Sequence, residues 1–211
     1  MSRRNTIKPI DEAMAYLWKK DTVDYLKTMQ QLPEPMVADL MKMLRPHYKF
    51  SGHLLLEPDM YHTDALYMRV GMAKLYLLDA KSGKQQIIHI WVAGEIILLH
   101  RMFVKRLQNT KFYIEMIEDA ELVSISNDCM DRIYKDYPAA DKLTVDILDE
   151  KHEKRLKHQE ILSIEYKGDR YGRFVVLFPE LVNRLGNEDM CAFLGVSEPT
   201  LLRAKYEYLG G

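Results

Sequence analysis

A long stretch without glycine or proline, which follows a series of short β-type segments, constrains the fold more than any other feature. It runs from Ala139 to about Ser163 and is dense in Lys, Glu and Leu. As an α-helix it would be about 37 Å long, at ~1.5 Å per residue. A helix of that length after a compact β domain connects two domains, forms the seam of an oligomer, or does both.

Two helices are predicted ahead of the β-type segments. Residues 9–30 have a helical pattern, with Asp21 as a candidate N-cap for the second part of this stretch. Residues Met36–Leu44 place apolar side chains at i, i+3, i+4 and i+7, which makes one apolar face. Pro46 is expected to end this second helix.

The middle of the chain changes to the short period of β-strands. Strands are predicted at Leu54–Leu56, Ala65–Val70, Met72–Leu78, Gln85–Val92, Lys111–Ile117 and Glu121–Ile125. Turn signals separate them, and Asp79–Lys84 is a good hairpin loop. A helical turn at Leu98–Arg106 and a helix at Asp128–Asp136 are also expected. Several short strands at this spacing predict an antiparallel barrel or roll.

Charge and periodicity change again at about residue 164, which we take as a domain boundary. Three short helices are predicted beyond it: Arg170–Phe178, Glu188–Leu194 and Ser197–Tyr208. The expected organisation is an N-terminal helical segment (1–30), a sensor domain (31–137), a long connector helix (138–163) and a helical C-terminal domain (164–211).

The stretch Asn187–Arg203 has the pattern of a helix-turn-helix. Gly195 would end the first helix, where a positive φ is cheapest for a residue without Cβ. Cys191 is small enough to let the two helices approach, Ser197 can cap the second helix, and Pro199 suits its first turn.

The second of these helices would be the recognition helix. Leu194, Val196, Leu201 and Leu202 are expected to fill the small core between the helices. Ser197, Glu198, Thr200, Arg203 and Lys205 are the candidate DNA-binding residues, and all of them except the cap Ser197 are expected to point outward, as in a helix that enters the major groove. The alternative for an isolated match is a plain αα-hairpin that does not bind DNA.

From about residue 30 to the C-terminus the chain is similar to the Crp/Fnr family of transcription regulators. The similar segments occur in family order: Lys49–Leu55, Leu66–Leu75, Lys81–Lys84, Gly94-Glu95, Glu118–Ile125, the long helix, Asp169–Tyr171, Phe178–Leu181 and the helix-turn-helix. No single segment is specific, and their order carries the resemblance.

The resemblance implies an α+β protein. It would have an N-terminal antiparallel β-roll (a jelly-roll-like double-stranded β-helix of the cyclic-nucleotide-binding type) with flanking helices, a long dimerising helix and a C-terminal winged helix-turn-helix. It further implies a cytoplasmic homodimer that binds double-stranded DNA at two half-sites. RNA polymerase and an unidentified small-molecule effector are further candidate partners, and no membrane association is expected.

The segment that grips a cyclic phosphate in this family is degenerate here. Gly94 and Glu95 are present, but the position of the phosphate-binding Arg falls on Asn109 or Thr110, and bulky Phe112 follows. A buried phosphate needs a charge-assisted donor, so cyclic AMP or GMP is not the expected ligand. Another small molecule, or no ligand, are the alternatives. The candidate ligand-binding residues are Gly94, Glu95, Arg101, Asn109, Thr110 and Lys111, and Arg106 is a further possible substitute for the missing Arg.

No cofactor or metal is expected. Cys129 and Cys191 lie far apart and outside any CxxC or CxxH pattern, which argues against zinc and iron–sulfur sites. The lone histidines His62, His89 and His100 leave haem ligation open, although lone histidines are more often structural. The sequence has no nucleophile–base pair and no glycine-rich phosphate loop, so we do not expect an enzyme.

Charge favours a second hypothesis. From residue 164 onward there are six Lys and Arg residues against seven Asp and Glu, whereas DNA-binding domains are usually basic. Glu198 also stands on the expected recognition helix. The alternative function is therefore a ligand-binding or protein-association module whose helix-turn-helix no longer binds DNA.

The long helix offers a candidate dimer seam. Residues near a 3.5-residue repeat are Val145, Leu148, His152, Arg155 or Leu156, Gln159 and Leu162. Since only some are apolar, the seam would be wetter than a leucine zipper. The alternative is that the helix packs on its own β-roll.

Overall fold

The computed structural model of the protein describes residues 9–210. The helices are α1 (Glu12–Met29), α2 (Glu34–Met43), α3 (His100–Lys105), α4 (Asn127–Asp136), α5 (Ala139–Ser163), α6 (Arg170–Leu177), α7 (Asn187–Leu194) and α8 (Glu198–Tyr208). The strands are β1 (Arg45–Lys49), β2 (Leu54–Leu56), β3 (Asp64–Val70), β4 (Met72–Leu78), β5 (Gln85–Val92), β6 (Glu95–Ile97), β7 (Tyr113–Met116) and β8 (Ala120–Ser126). Short 3₁₀ turns lie at Lys167–Asp169 and Pro179–Leu181.

The strands form two four-stranded sheets. Their orders are β1-β8-β3-β6 and β2-β7-β4-β5. The pairs β1/β8, β2/β7, β3/β6 and β3/β8 are antiparallel. The β-roll predicted from the short strands and turn signals is therefore confirmed.

Two strands were not among those predicted from the periodicity of the sequence. Strand β1 contains Pro46, which was expected only to end a helix, and it lies at the edge of its sheet, where a residue without an N–H is tolerated. Strand β6 follows directly after Gly94, whose φ of +90° turns the chain back so that Glu95 pairs with Met68. Strand β6 has only three residues, and the proline in β1 favours a break in structure over a strand.

Helix α1 is continuous, which corrects the expectation for Asp21. The N-cap is Asp11, whose side chain accepts a hydrogen bond from the Met14 N–H at 2.8 Å. Asp21 lies within the helix and accepts a hydrogen bond from Arg69 Nε at 2.8 Å. The Arg69 guanidinium also pairs with Glu121 and lies over the Trp18 ring. Asp21, in the middle of α1, thus helps to join this helix to β3 and β8 through Arg69.

Helices α1, α2 and α4 pack with the first part of α5 on one face of the β1-β8-β3-β6 sheet. Successive strand residues point to opposite faces, and on β8 the side chains of Val123 and Ile125 join the cluster formed with these helices. The neighbouring residues Leu122 and Ser124 are buried on the opposite face. This sheet therefore has a separate core on the side covered by helices.

The chain divides into two compact units. Of the described residues, one unit contains those up to Leu75 together with Ile90–Leu148, and the other contains Tyr76–His89 together with those from Asp149 onward. Packing thus groups the second half of α5 with the tip of the β4–β5 hairpin and the C-terminal helices. The functional boundary near residue 164 stays a prediction.

None of the helices within residues 9–210 is both long enough and apolar enough to cross a membrane.

Candidate nucleic-acid interface and sensor segment

Helices α7 and α8 are joined by the turn expected of a helix-turn-helix. Gly195 ends α7 in the left-handed conformation, with φ 63° and ψ 39°, and its N–H donates to the Cys191 carbonyl. Ser197 is the N-cap of α8, where its hydroxyl accepts from the Thr200 N–H at 3.4 Å and lies 2.8 Å from the Thr200 hydroxyl. Pro199 occupies the first turn of α8, where no N–H is needed.

An aromatic core holds α7 in place. The Phe193 ring packs edge-on against Phe174 and Phe178, with ring centroids 6.0 and 5.5 Å apart. His158 of α5 stacks on the same ring at 3.8 Å, and its Nε2 lies 2.7 Å from the Phe193 carbonyl oxygen. The His158 Nδ1 lies 3.2 Å from the Ile88 carbonyl oxygen. His158 therefore contacts α7 in two ways, by ring stacking on Phe193 and through Nε2 at the Phe193 carbonyl oxygen.

Arg170, the first residue of α6, ties the end of α5 to the turn of the motif. Its guanidinium donates to the carbonyls of Ile164 at 3.1 Å, Leu162 at 2.9 Å and Leu194 at 2.9 Å. A Cβ at Gly195 would lie 3.1 Å from Arg170 Nη1, so the turn must also leave room for this side chain. Sequence reasoning did not identify Arg170 or His158, because carbonyl acceptors that lie far apart in the chain leave no motif.

The exposed face of α8 differs from the expected one. Glu198 and Arg203 are exposed, as predicted, and Thr200 is half-buried beside Ser197. Leu202 was expected in the core but is 50% exposed, and Tyr206, one helical turn further along, is 68% exposed. Leu202 faces outward because Leu201 and Ala204 already occupy the buried side of the helix.

Lys205 does not project outward as expected. Its ammonium donates to Asn187 Oδ1 at 2.7 Å and lies 5.8 Å from the centre of the Tyr171 ring. It therefore links α8 to the start of α7, and a role in DNA contact stays a prediction.

Several positively charged side chains of the C-terminal helices are engaged in contacts within the protein. Arg170 and Lys205 are engaged as described, and Arg173 pairs with Glu160 of α5. Arg203 is then the principal exposed cation of α8. On α8 itself, the contacts of Lys205 make the outer face less basic than the sequence suggests.

No strand lies between Asn127 and Gly210, so the wing that was expected beside the helix-turn-helix is not present in this part of the chain. The 3₁₀ turn Pro179–Leu181 and the loop after it connect α6 to α7. The helix-turn-helix itself is confirmed, with α7 and α8 as its two helices.

The candidate phosphate-binding segment begins at the turn before β6. The Gly94 N–H donates to the Met68 carbonyl at 2.7 Å, and the Glu95 carboxylate accepts from the Val92 N–H at 3.2 Å. Glu95 thus closes the turn between β5 and β6, and Gly94 joins this turn to β3. Whether they also contact a ligand stays a prediction.

Asn109 is fully buried and organises a tight turn. Its amide Nδ2 donates to the Phe112 carbonyl at 2.7 Å, and its Oδ1 accepts from the N–H groups of Phe112 at 2.9 Å and Lys111 at 3.3 Å. This is a structural use of an Asn side chain. Thr110 and Lys111 are exposed at the same turn, and the Lys111 ammonium lies 5.0 Å from the Phe112 ring centre.

The two arginines near α3 differ in their surroundings. Arg106 ends α3 in the left-handed conformation, and its Nη2 donates to both Asp128 and Asp131 at 2.7 Å. The two carboxylates raise the pKa of Arg106 and occupy its guanidinium, which argues against it as a substitute phosphate-binding residue. Arg101 is exposed on α3.

Two of the three histidines that left haem ligation open are buried in the fold. His62 is buried, its Nε2 accepts from the Leu99 N–H at 3.1 Å, and its ring packs near Phe103. His89 is also buried. Within residues 9–210, no group of three or more His, Cys, Asp or Glu side chains is placed to hold a metal ion.

No family model and no curated protein matches the sequence. Solved structures do match the fold. A protein from Eubacterium rectale described as a transcriptional regulator of the Crp/Fnr family superposes with a TM-score of 0.70 at 16% identity, over 88% of each chain. The c-di-GMP responsive global regulator CLP from Xanthomonas campestris gives a TM-score of 0.67 at 12% identity, over 83% of this chain and 91% of that one. FixK2 from Bradyrhizobium japonicum gives 0.65 at 14% identity, over 78% and 83%.

These matches cover between 78% and 88% of this chain. The chain has the fold of the Crp/Fnr regulators.

Proposed function

We propose that the protein is a DNA-binding transcription regulator of the Crp/Fnr type, with α8 as its recognition helix. The observation that carries this proposal is the helix-turn-helix geometry at Gly195 and Ser197, in a chain of which 88% superposes on such a regulator. Such a protein acts as a cytoplasmic homodimer on double-stranded DNA. It performs no catalysis of its own.

Within this proposal Arg203 is the main DNA-contacting side chain. It is the principal exposed cation of α8 and lies one turn after the N-terminal residues Glu198 and Thr200. An arginine at this place can donate to guanine or to a phosphate. Leu202 and Tyr206 flank it on the exposed face, where an apolar side chain can contact a thymine methyl group.

The sensor ligand is proposed to differ from cyclic AMP and cyclic GMP. Asn109 or Thr110 stands where an arginine would grip the phosphate, and the Asn109 amide is committed to its own turn. Arg106 is held by Asp128 and Asp131. Saturating cyclic AMP should therefore leave the melting temperature unchanged, and a saturable rise would contradict this part of the proposal.

The test of DNA binding begins with selection of duplexes from a random library by the full-length protein. A two-fold-symmetric site should be enriched, and anisotropy titrations should show affinity falling as salt rises. Arg203→Ala should then weaken binding to the selected site by roughly 5- to 100-fold, the size of one specific arginine contact.

The matched control is Arg132→Ala, which removes an exposed arginine from α4 and should leave DNA affinity unchanged. Equal affinity of Arg203→Ala and the unmodified protein would remove Arg203 from the interface. No enriched site at low salt would favour the second candidate function.

That second candidate is protein association through α8. It is favoured by the exposed pair Leu202 and Tyr206, by Glu198, and by the scarcity of unengaged positive charge on this helix. Leu202→Ala would separate the two functions, because it would weaken a protein complex strongly while changing DNA affinity much less than Arg203→Ala.

A further inference from the structure

The core between the helices and the β1-β8-β3-β6 sheet contains a cavity of about 70 Å³. Its walls come from α1, α2, α3, α4, the first part of α5, and strands β3, β6 and β8. Protein interiors are close-packed and contain few voids larger than a water molecule. A void of this size among so many elements is therefore a distinct feature of the first compact unit.

The cavity lies on the face of the sheet that the helices cover. Ala65 and Tyr67 of β3 and Val123 and Ile125 of β8 line it. Since strand side chains alternate between faces, these odd-numbered residues point away from the side on which Met68 and Leu122 are buried. The cavity thus lies on the opposite face of the sheet from those two residues, and Ile96, Leu98 and Phe103, which follow Gly94 in the chain, also line it.

The wall offers little hydrogen bonding to water, because most of its side chains are apolar. The hydroxyl-bearing side chains of the lining are Thr22, Tyr67, Tyr134 and Thr144. The Thr22 hydroxyl donates to the Trp18 carbonyl at 2.9 Å, and the Thr144 hydroxyl donates to the Ala140 carbonyl at 3.0 Å. The Tyr134 hydroxyl lies 2.7 Å from that of Thr144, and Tyr67 stacks on Tyr25.

A buried water needs two to four polar partners, and an apolar cavity without them stays dry and takes apolar ligands. The remaining lining is aliphatic and aromatic, with Leu26, Leu143 and Ile147 as typical members. The free energy gained on filling such a space comes from apolar contact alone.

We propose that this cavity is a binding site for a small apolar molecule of about three to six non-hydrogen atoms. A ligand there would contact Ala140, Leu143 and Ile147 of α5. The site is independent of DNA binding, so its test does not depend on the proposed regulatory function. For so few atoms the expected dissociation constant is in the high micromolar to millimolar range.

Xenon is the first probe, followed by methyl NMR of the full-length protein. Saturable shifts are expected for the methyl groups of Leu26, Leu143 and Ile147. Ala140→Leu places a larger side chain in the cavity and should abolish these shifts. Ala139→Leu is the matched control, since the neighbouring Ala139 does not line the cavity and its variant should keep them.

Thermal melts test the ligand class. Cyclopentane, with five carbons, should raise the melting temperature of the unmodified protein by roughly 1–3 °C near saturation. The polar 1,3-propanediol, with the same number of non-hydrogen atoms, should not. Ala140→Leu should remove the effect of cyclopentane.

The proposal is overturned if the unmodified protein shows no saturable xenon shifts or no rise with cyclopentane. It is also overturned if Ala140→Leu responds like Ala139→Leu. Should Ala140→Leu fail to fold, Ala65→Val fills the same space from β3 and must give the same loss of binding.

Discussion

At the scale of single residues, the burial of His89 changes its protonation, which its position in the sequence does not reveal. His89 is 5% exposed, on the β5 segment that belongs to the second compact unit. Burial lowers the pKa of His89 well below 6.5, and the nearby charges of Lys151, Lys154, His158 and Arg155 on α5 act in the same direction. His89 is therefore neutral in the folded protein at neutral pH.

This predicts an acid-dependent loss of stability. Because the folded pKa lies below the unfolded value, the unfolded state binds a proton that the folded state does not, once the pH falls below about 6.5. The free energy of unfolding should then fall by up to about 1.4 kcal/mol per pH unit for this one group. Urea titrations between pH 7.5 and 5 measure the slope.

His89→Gln should reduce that slope by up to about 1.4 kcal/mol per pH unit, the contribution of one proton. His152→Gln, on the exposed surface of α5, should not change the slope. His47 and His158, whose pKa values burial also lowers, keep part of the slope in both variants. Equal slopes for the two variants would mean that His89 does not resist protonation in the fold.

At the scale of elements, the helix-turn-helix is held by bonds to its helix ends. The last carbonyls of a helix have no partner within the helix. Arg170 satisfies those of Leu162, Ile164 and Leu194, and so joins α5, α6 and α7. This side chain stabilises the arrangement from which α8 is presented.

Arg170→Ala should therefore lower the free energy of unfolding by about 2–4 kcal/mol, since bonds from a charged donor to three carbonyls are lost. Arg170→Lys should give an intermediate loss, because an ammonium lacks the planar fork that reaches all three acceptors. Denaturation followed by circular dichroism measures both. Lys167→Ala, an exposed neighbour, serves as control, and a loss no larger than its own would contradict the role of Arg170.

At the scale of the whole molecule, α5 carries the residues expected at a dimer seam. Val145 is 53% exposed and Leu156 is 50% exposed, and His152 and Gln159 on the same stripe are also exposed. Their spacing follows the repeat that two such helices would share. The stripe is therefore open to a second copy of the chain.

If this stripe is the seam, Leu156→Asp should convert a dimer into a monomer, because it places a charge in the apolar part of the contact. Sedimentation equilibrium measures the change. Lys157→Asp, at the adjacent exposed position, should leave the dimer intact. A monomeric parent protein, or a dimer that persists in Leu156→Asp, would place the contact elsewhere.

Much of this protein was determined by local sequence. The bounds of α5 and of strands β2, β4 and β5 agree with the predictions, because each is a run of helix-type or strand-type residues between clear turn residues. Gly195 and Ser197 were identified for the same reason, since a positive φ and a helix cap each require particular residue types within a few positions.

The tertiary structure alone decided the features that depend on distant partners. Pro46 lies in an edge strand, Leu202 faces solvent, and Lys205 turns back to Asn187, because in each case packing between elements selects the environment. The contacts of Arg170 and His158, and the cavity between the helices and the sheet, arise where segments far apart in the chain meet. Local periodicity indicates which face of a helix or strand is apolar. It does not indicate which carbonyl, aromatic ring or cavity that face contacts, because these lie on segments far away in the chain.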